Sequence, residues 1–546
     1  MKDSFRGGGT RGRFVAVACV LGVLVPSLLS ALPVDNTPKL TVSQRAKRVP
    51  VKPLIPQADR NQRGKVFLER ADKLWMDDKI STEFQMVTGN VMFRKEGMFM
   101  YCDSANFYEG TGSVEAFGNV RMEQGDTLFV YAEELQYDGP TEFATFYGDD
   151  ARKVRLINKD VTLETYVFYY DVANNLGYYD NNGTITDAEN RLSSGYGEYN
   201  PDTKEAEFRE HVVLQDLKKE DFKISTEQLR YNTGTHIANI VSPTVIETDS
   251  GTVYTSNGWY DTETEISELY DRSRVISNGG TELTGDTLFY DHAAGFGEAW
   301  GKMVLTDSVR QSMLEGDYGC YYQEQDSSFA TGHARVLEYS RQDTLYLHGD
   351  TIRTYLLEDS THILAVYPKV RFWRVDIQGL CDSLSFLERD STLYMFRHPI
   401  VWNEARQVFG NVITVHFNDS TADWAKLPDF GFVAEHIDEE FYNQISGKEL
   451  FAQFVDGGLK QIDVSGNVEI ISLPQEKDST YNKIVNAESS YMRAEFENGE
   501  IVRTSMWPEN TSTTTPLYLA KKSIFHLPNF QWYEALRPKD KDDIFN

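Results

Sequence analysis

The sequence predicts an all-β, solenoid-like stack of repeats. Three observations carry that expectation: an acidic residue returning at a nearly constant interval, a strand–turn–strand grammar around it, and the lack of any amphipathic helix of convincing length. In Gly285-Asp286-Thr287-Leu288-Phe289-Tyr290-Asp291, Leu288 and Tyr290 alternate along a pleat; the turn residues of 291–297 follow, and the chain returns through Ala299 to Gly301-Lys302-Met303-Val304. The same grammar joins Ala71-Asp72 to Gly89-Asn90-Val91, Cys102-Asp103-Ser104 to Gly118-Asn119-Val120, and Gly316-Asp317 to Gly332-His333. It continues through Gly349-Asp350-Thr351 and Cys381-Asp382-Ser383. The intervals are 31 (72 to 103), 30 (103 to 133), 31 (286 to 317), 33 (317 to 350) and 32 (350 to 382), with Glu164 and Glu227 on the same grid. Each unit of such an array buries its apolar face only against its neighbours. Without helical crossovers, βαβ architectures are excluded.

Composition agrees. A chain of 546 residues is too long for one ordinary compact core, a limit that a one-dimensional stack escapes. Its 30 Tyr, 31 Phe and 8 Trp against 17 Pro suit strands rather than disorder. A net charge of −29 excludes nucleic acid as a partner.

Taken in order, the chain opens with Lys2, Arg6, Arg11 and Arg13 before the apolar run 14–32. That layout reads as a secretory signal over residues 1–31, with an uncleaved anchor helix as the alternative. Residues 32–65 hold five prolines among scattered Lys and Arg and read as a flexible leader. Regular β repeats are expected over 66–400, broken by turns such as Asp138-Gly139 and Asn182-Gly183. Degenerate repeats follow over 401–509, with an insert at 424–444 that has room for a short helix. Residues 510–546 read as a Thr-rich linker and a tail that docks on a partner or packs over the open end of the stack. Cys102 and Cys381 share one column of a linear stack and cannot meet, so with Cys320 they are expected as free, buried thiols.

The ordered recurrence of Ala71-Asp72, Cys102-Asp103-Ser104 and Gly285-Asp286-Thr287-Leu288-Phe289-Tyr290-Asp291 with Gly89-Asn90-Val91, Gly118-Asn119-Val120 and Gly466-Asn467-Val468 resembles the OstA-like repeat of periplasmic lipopolysaccharide-transport proteins. That group includes the LptA bridge and the N-terminal domain of LptD. The resemblance covers roughly residues 66–505. It implies an elongated β-jellyroll of two antiparallel sheets with an apolar groove for acyl chains, in a periplasmic or outer-membrane-associated protein of outer-membrane biogenesis. Its implied partners are lipopolysaccharide or another acyl lipid and other outer-membrane transport components, with end-to-end β-augmentation as one way of joining them. The chain departs from the family in being far longer than a typical bridge protein.

Residues two apart face one side of a strand. Leu74, Leu135, Leu229, Leu288, Ile352 and Leu384 therefore form one interior column. Met76, Phe107, Tyr137, Phe168, Tyr231, Tyr290, Tyr321 and Phe386 form the column two residues on. Either column serves equally as plain core or as the wall of a lipid groove. The acidic column (Asp72, Asp103, Glu133, Asp286, Asp317, Asp350, Asp382) places one carboxylate per turn, which is neither an acid–base pair nor a calcium loop. It is read as marking the bend between sheets, where short polar side chains satisfy backbone groups. No catalytic set, metal site or cofactor is indicated. The functional expectation is lipid carriage or bridging. The alternatives are a structural or adhesive β-solenoid without cargo and a polysaccharide-processing β-helix enzyme, which needs a cluster of acids that the sequence lacks.

Overall fold

Almost every strand of this chain is paired on both sides, and the pairing splits each long strand in two. The structure is a computed structural model that describes residues 65–546, apart from 77–82 and scattered loop positions of one to four residues. The expected signal and nearly all of the leader lie outside the described residues. The protein is all-β, and among the described residues short 3-10 turns occur only in the last thirty. It divides into two compact units: the first ends at Asn278 and takes in Phe289–Ala294, and the second comprises Gly279–Leu288 and Gly295–Asn546.

In the first unit, Gln85–Lys95, Met98–Tyr108 and Ser113–Gln124 pair antiparallel, but their registers jump between Thr88 and Val91, Tyr101 and Ser104, and Phe117 and Val120. Each strand thus serves two sheets. Residues before one jump pair within one ladder, and residues after it pair within the other. Just beyond Asp138 the two halves become separate strands, and Glu205–Asp216 later spans both ladders again with a register shift between Arg209 and Val212. Phe143–Tyr147 continues one ladder to Val167–Asp171, and Val154–Asn158 continues the other to Val161–Thr165. The second unit repeats the plan, with Ser383–Leu387, Thr392–Phe396 and Val412–Phe417 in one ladder and Ile377–Cys381, Ile400–Asn403 and Arg406–Gly410 in the other. This is the two-sheet antiparallel jellyroll arrangement implied by the motif resemblance.

Three local expectations change. The region 424–444 holds no helix: it folds as Ala422–Leu427, Gly431–Asp438 and the start of Phe441–Gly447, all paired antiparallel, with a register shift between His436 and Asp438. Its irregular spacing reflects longer strands in place of the short regular ones. Residues 510–516 are not a linker but the end of strand Glu500–Pro516, paired with Lys483–Glu497. Their threonines are β-branched and suit an exposed edge.

The tail does not lie over an end of the stack. It doubles back across the outer face of one sheet, crossing strands in reverse chain order. Fully buried Gln444 grips it first: the side-chain amide donates to the Phe525 carbonyl at 2.7 Å, and its oxygen accepts from the Leu527 N–H at 2.8 Å. Gln407 repeats the grip, donating to the Gln531 carbonyl at 2.8 Å and accepting from the Tyr533 N–H at 2.7 Å. Further on, Arg537 donates to the Gln378 side-chain oxygen at 2.8 Å, and Phe545 packs on His348 with ring centres 4.7 Å apart. Leu527, Phe530, Trp532 and Tyr533 cover Ile400, Trp402, Phe409 and Phe432. The tail therefore ties together strands that a stack otherwise joins only through their neighbours.

Two results should follow. Truncation after Pro516 uncovers Trp402, Phe409 and Phe432 and should raise hydrogen exchange across 400–447 and the binding of a hydrophobic dye. Gln407→Ala leaves the Gln531 carbonyl, the Tyr533 N–H and the buried Trp402 indole N–H unmatched and should cost roughly 1–3 kcal/mol in chemical denaturation.

Candidate functional site

The corner between the sheets follows directly from the recurring motif. Where a strand crosses from one sheet to the other, two consecutive residues take the left-handed conformation: Gly89 and Asn90 at φ 78° and 45°, and Gly118 and Asn119 at 75° and 45°. Only glycine fits the first of these sites. A Cβ on Gly89 would lie 2.4 Å from Asp72 Oδ2, and one on Gly118 would lie 2.7 Å from Asp103 Oδ2. The acidic column stands here. The N–H of Asp72 donates to the Gly89 carbonyl at 2.8 Å, and the N–H of Asp317 to that of Gly332 at 2.7 Å.

The carboxylates then accept from a left-handed residue of the neighbouring strand. Asn90 donates to Asp72 at 3.0 Å and Asn119 to Asp103 at 2.8 Å; Arg397 reaches Asp382 at 3.0 Å and Lys369 reaches Asp350 at 3.3 Å. The reading of the acids as corner markers holds, with one amendment: the backbone bond comes from the acid's own N–H, while its carboxylate takes a side chain. Glu164 departs from the grid. It lies in a strand facing Arg155, two residues before the corner at Tyr166, because the interval from Glu133 to that corner lengthens to 33. Among the described residues no group of His, Cys, Asp or Glu is gathered to hold a metal ion.

In the second unit, exposure inside the corner rises with distance from the bend. In the second unit Val366, Leu384, Met395, Ile413, Leu427 and Leu450 form one cross-strand row, all buried. The next row outward, with Leu364, Phe386, Leu393 and Val415, is half-buried. In the first unit the deep row runs through Val87, Ala105, Ala116, Leu135, Phe146 and Phe168. Its outer row includes Phe107, Val114 and Tyr137.

The sequence-selected columns map onto these rows with two changes. Leu135 and Leu229 are deep and buried, as are Ile352 and Leu384 in the second unit. Leu288 and Tyr290 are buried on Thr287–Asp291, the strand divided between the units. Phe107 and Tyr231 are buried in the outer row; Tyr137, Tyr321 and Phe386 are half-buried there. Phe168, however, belongs to the deep row opposite Phe146, because the corner shift before it displaces the count by two. Leu74 is 54 % exposed and Met76 half-exposed, since Lys73–Trp75 pairs on one side only among the described residues.

Where the two sheets part beside Val66, an apolar pocket of about 60 Å³ opens among Phe93, Met98, Met100, Val114, Met122 and Leu135. Its rim carries a residue that sequence reasoning missed. Lys95 is 7 % exposed and donates to the Tyr137 hydroxyl and to Glu142 Oε1, both at 2.7 Å. Burial pulls the ammonium's pKa down, but the hydrogen bonds to Glu142 and Tyr137 outweigh it and leave the pKa above its ordinary value. A lysine beside an exposed Glu-Gly turn gives no sequence signal of burial. Only the closing of one sheet over the other encloses it.

This geometry defines an all-β jellyroll repeat protein with an apolar interior graded from a sealed corner to a partly open mouth. Residues 63–227 match the family model for OstA-like protein, and over that stretch, which lies in the first unit, the OstA-like assignment stands. No curated protein matches the chain.

Cys102, Cys320 and Cys381 are free and buried. Burial, the largest cause, pushes the Cys102 and Cys381 thiols up to about 12. At pH 8 only about one in ten thousand of such groups is thiolate, so both should resist a disulfide reagent in the native protein and react once unfolded. At the corner, Gly118→Ala should cost about 1–3 kcal/mol, because a side chain is forced into the left-handed region against Asp103. Asp103→Asn retains an acceptor for Asn119 and should cost less than about 1 kcal/mol. Denaturant titration separates the two.

Proposed function

We propose that the protein is a periplasmic carrier or bridge for an acyl lipid of the lipopolysaccharide class, acting in outer-membrane biogenesis with other transport components. The observation that carries the reading is the OstA-like match over residues 63–227, joined to the half-buried apolar rows beyond the corners of the second unit. A sealed corner supplies rigidity, and half-buried apolar rows beyond it supply surface on which each methylene of a chain removed from water gains about 0.8 kcal/mol. Aromatic and methionine side chains on those rows adapt to a chain without demanding one shape. The sequence columns around Tyr137 and Phe386 are the proposed contact residues, and the N-terminal basic–apolar segment is the proposed export signal. The edge strands Lys73–Trp75 and Glu500–Pro516 each pair on one side among the described residues, which supports end-to-end β-augmentation as the mode of joining partners.

A photoreactive amino acid at Tyr137 or Phe386 should capture lipopolysaccharide in cells. The same group at exposed Gln136, next to Tyr137 but on the opposite face, should not. Equal capture at both faces, or capture at neither interior position, would overturn the reading.

A further inference from the structure

The pocket beneath Lys95 combines two features found together at no other described position: an apolar cavity and an enclosed ammonium at its rim. Lys95 ends the strand Gln85–Lys95 and reaches across to Tyr137 and Glu142, on and just past a strand of the opposite sheet. An enclosed ammonium requires an anionic or polar partner, since burial without one is strongly unfavourable. Here that partner is Glu142, a turn residue held at φ 55° with its side chain one-third exposed. Glu142 can swing into water at little cost, and leaving Lys95 would free a carboxylate's place on a lysine that cannot itself retreat.

We propose that Lys95 is the anchor for the anionic head, carboxylate or phosphate, of an amphiphile whose chain enters the pocket, and that Glu142 occupies the head's place until the ligand arrives. The inference rests on the lipid-groove reading and adds to it a charge requirement at one end. Tyr137 holds the ammonium in position through its hydroxyl and, with the ammonium 5.2 Å from its ring centre, through the ring face. Met98, Met100 and Met122 line the cavity, and their unbranched side chains can move aside to lengthen it for a chain. The exchange is one carboxylate or phosphate for another on the same ammonium, so the enclosed charge is never left alone.

The test uses the full chain with a fluorescent long-chain fatty acid and its methyl ester, titrated against wild type, Lys95→Met, Lys95→Arg and Glu142→Gln. Wild type should bind the acid about tenfold more tightly than the ester. Lys95→Met should abolish that preference, acid and ester then binding that variant equally, and Lys95→Arg should restore it. Glu142→Gln removes the competing carboxylate and should tighten acid binding several-fold, which tests the exchange with Lys95 in place. Inorganic phosphate at millimolar concentration should not displace the acid; if it does, the site takes a free anion and the amphiphile assignment falls. Equal binding of acid and ester by wild type, or unchanged acid affinity in Glu142→Gln, overturns the anion anchor while leaving the groove intact. If neither probe binds, the groove reading falls and this inference with it.

Discussion

The sheet-to-sheet corners depend on a backbone constraint: at those of Asp72 and Asp103 the strand passes from one sheet to the other by turning two residues, a glycine and an asparagine, into the left-handed region. Glycine accepts the first of those conformations without a Cβ clash. The neighbouring strand's acid occupies the space that a Cβ would need, so the corner glycine and the acid form one device. At Asp72 and Asp103 the acid binds the second left-handed residue through an asparagine. At Asp350 and Asp382 the partner is a lysine or an arginine instead. The bond geometry is kept while the donor changes, which is why the motif keeps its acid more faithfully than its asparagine.

From that corner the interior follows. Rows nearest the bend are pressed between both sheets and exclude water. Rows further out lose contact across the gap as the sheets diverge. Large apolar side chains occupy both kinds of row, but they do different work: the deep ones supply cohesion and the outer ones remain partly available. The enclosed Lys95 stands where the gap is wide enough for a cavity yet narrow enough to bury an ammonium.

The C-terminal segment solves a separate problem. The outer face of one sheet in the second unit carries Trp402, Phe409 and Phe432, which in water would be an adhesive patch. The tail covers it, and Gln407 and Gln444 supply matched donor and acceptor groups to a backbone that forms no strand ladder there. The same contacts bind non-adjacent strands together and give the second unit a fastening that its nearest-neighbour pairing lacks.

The sequence by itself determined the repeat, the all-β class and several corners, because at Asp72, Asp103, Asp286 and Asp317 a glycine and an acid recur at matched places along one strand and the next. It also determined which apolar side chains alternate inward, since pleat parity is a local property: Leu135, Leu229, Ile352 and Leu384 are buried as counted. It could not place Phe168, where a shift of two residues at a corner moved the row, or Leu74, whose exposure depends on having a neighbour on one side only. Tertiary structure alone decided the fate of the tail and of Lys95. Both depend on surfaces brought together from distant positions, Gln407 with Gln531 and Lys95 with Glu142. Neither contact has a periodicity or spacing that a linear reading can detect.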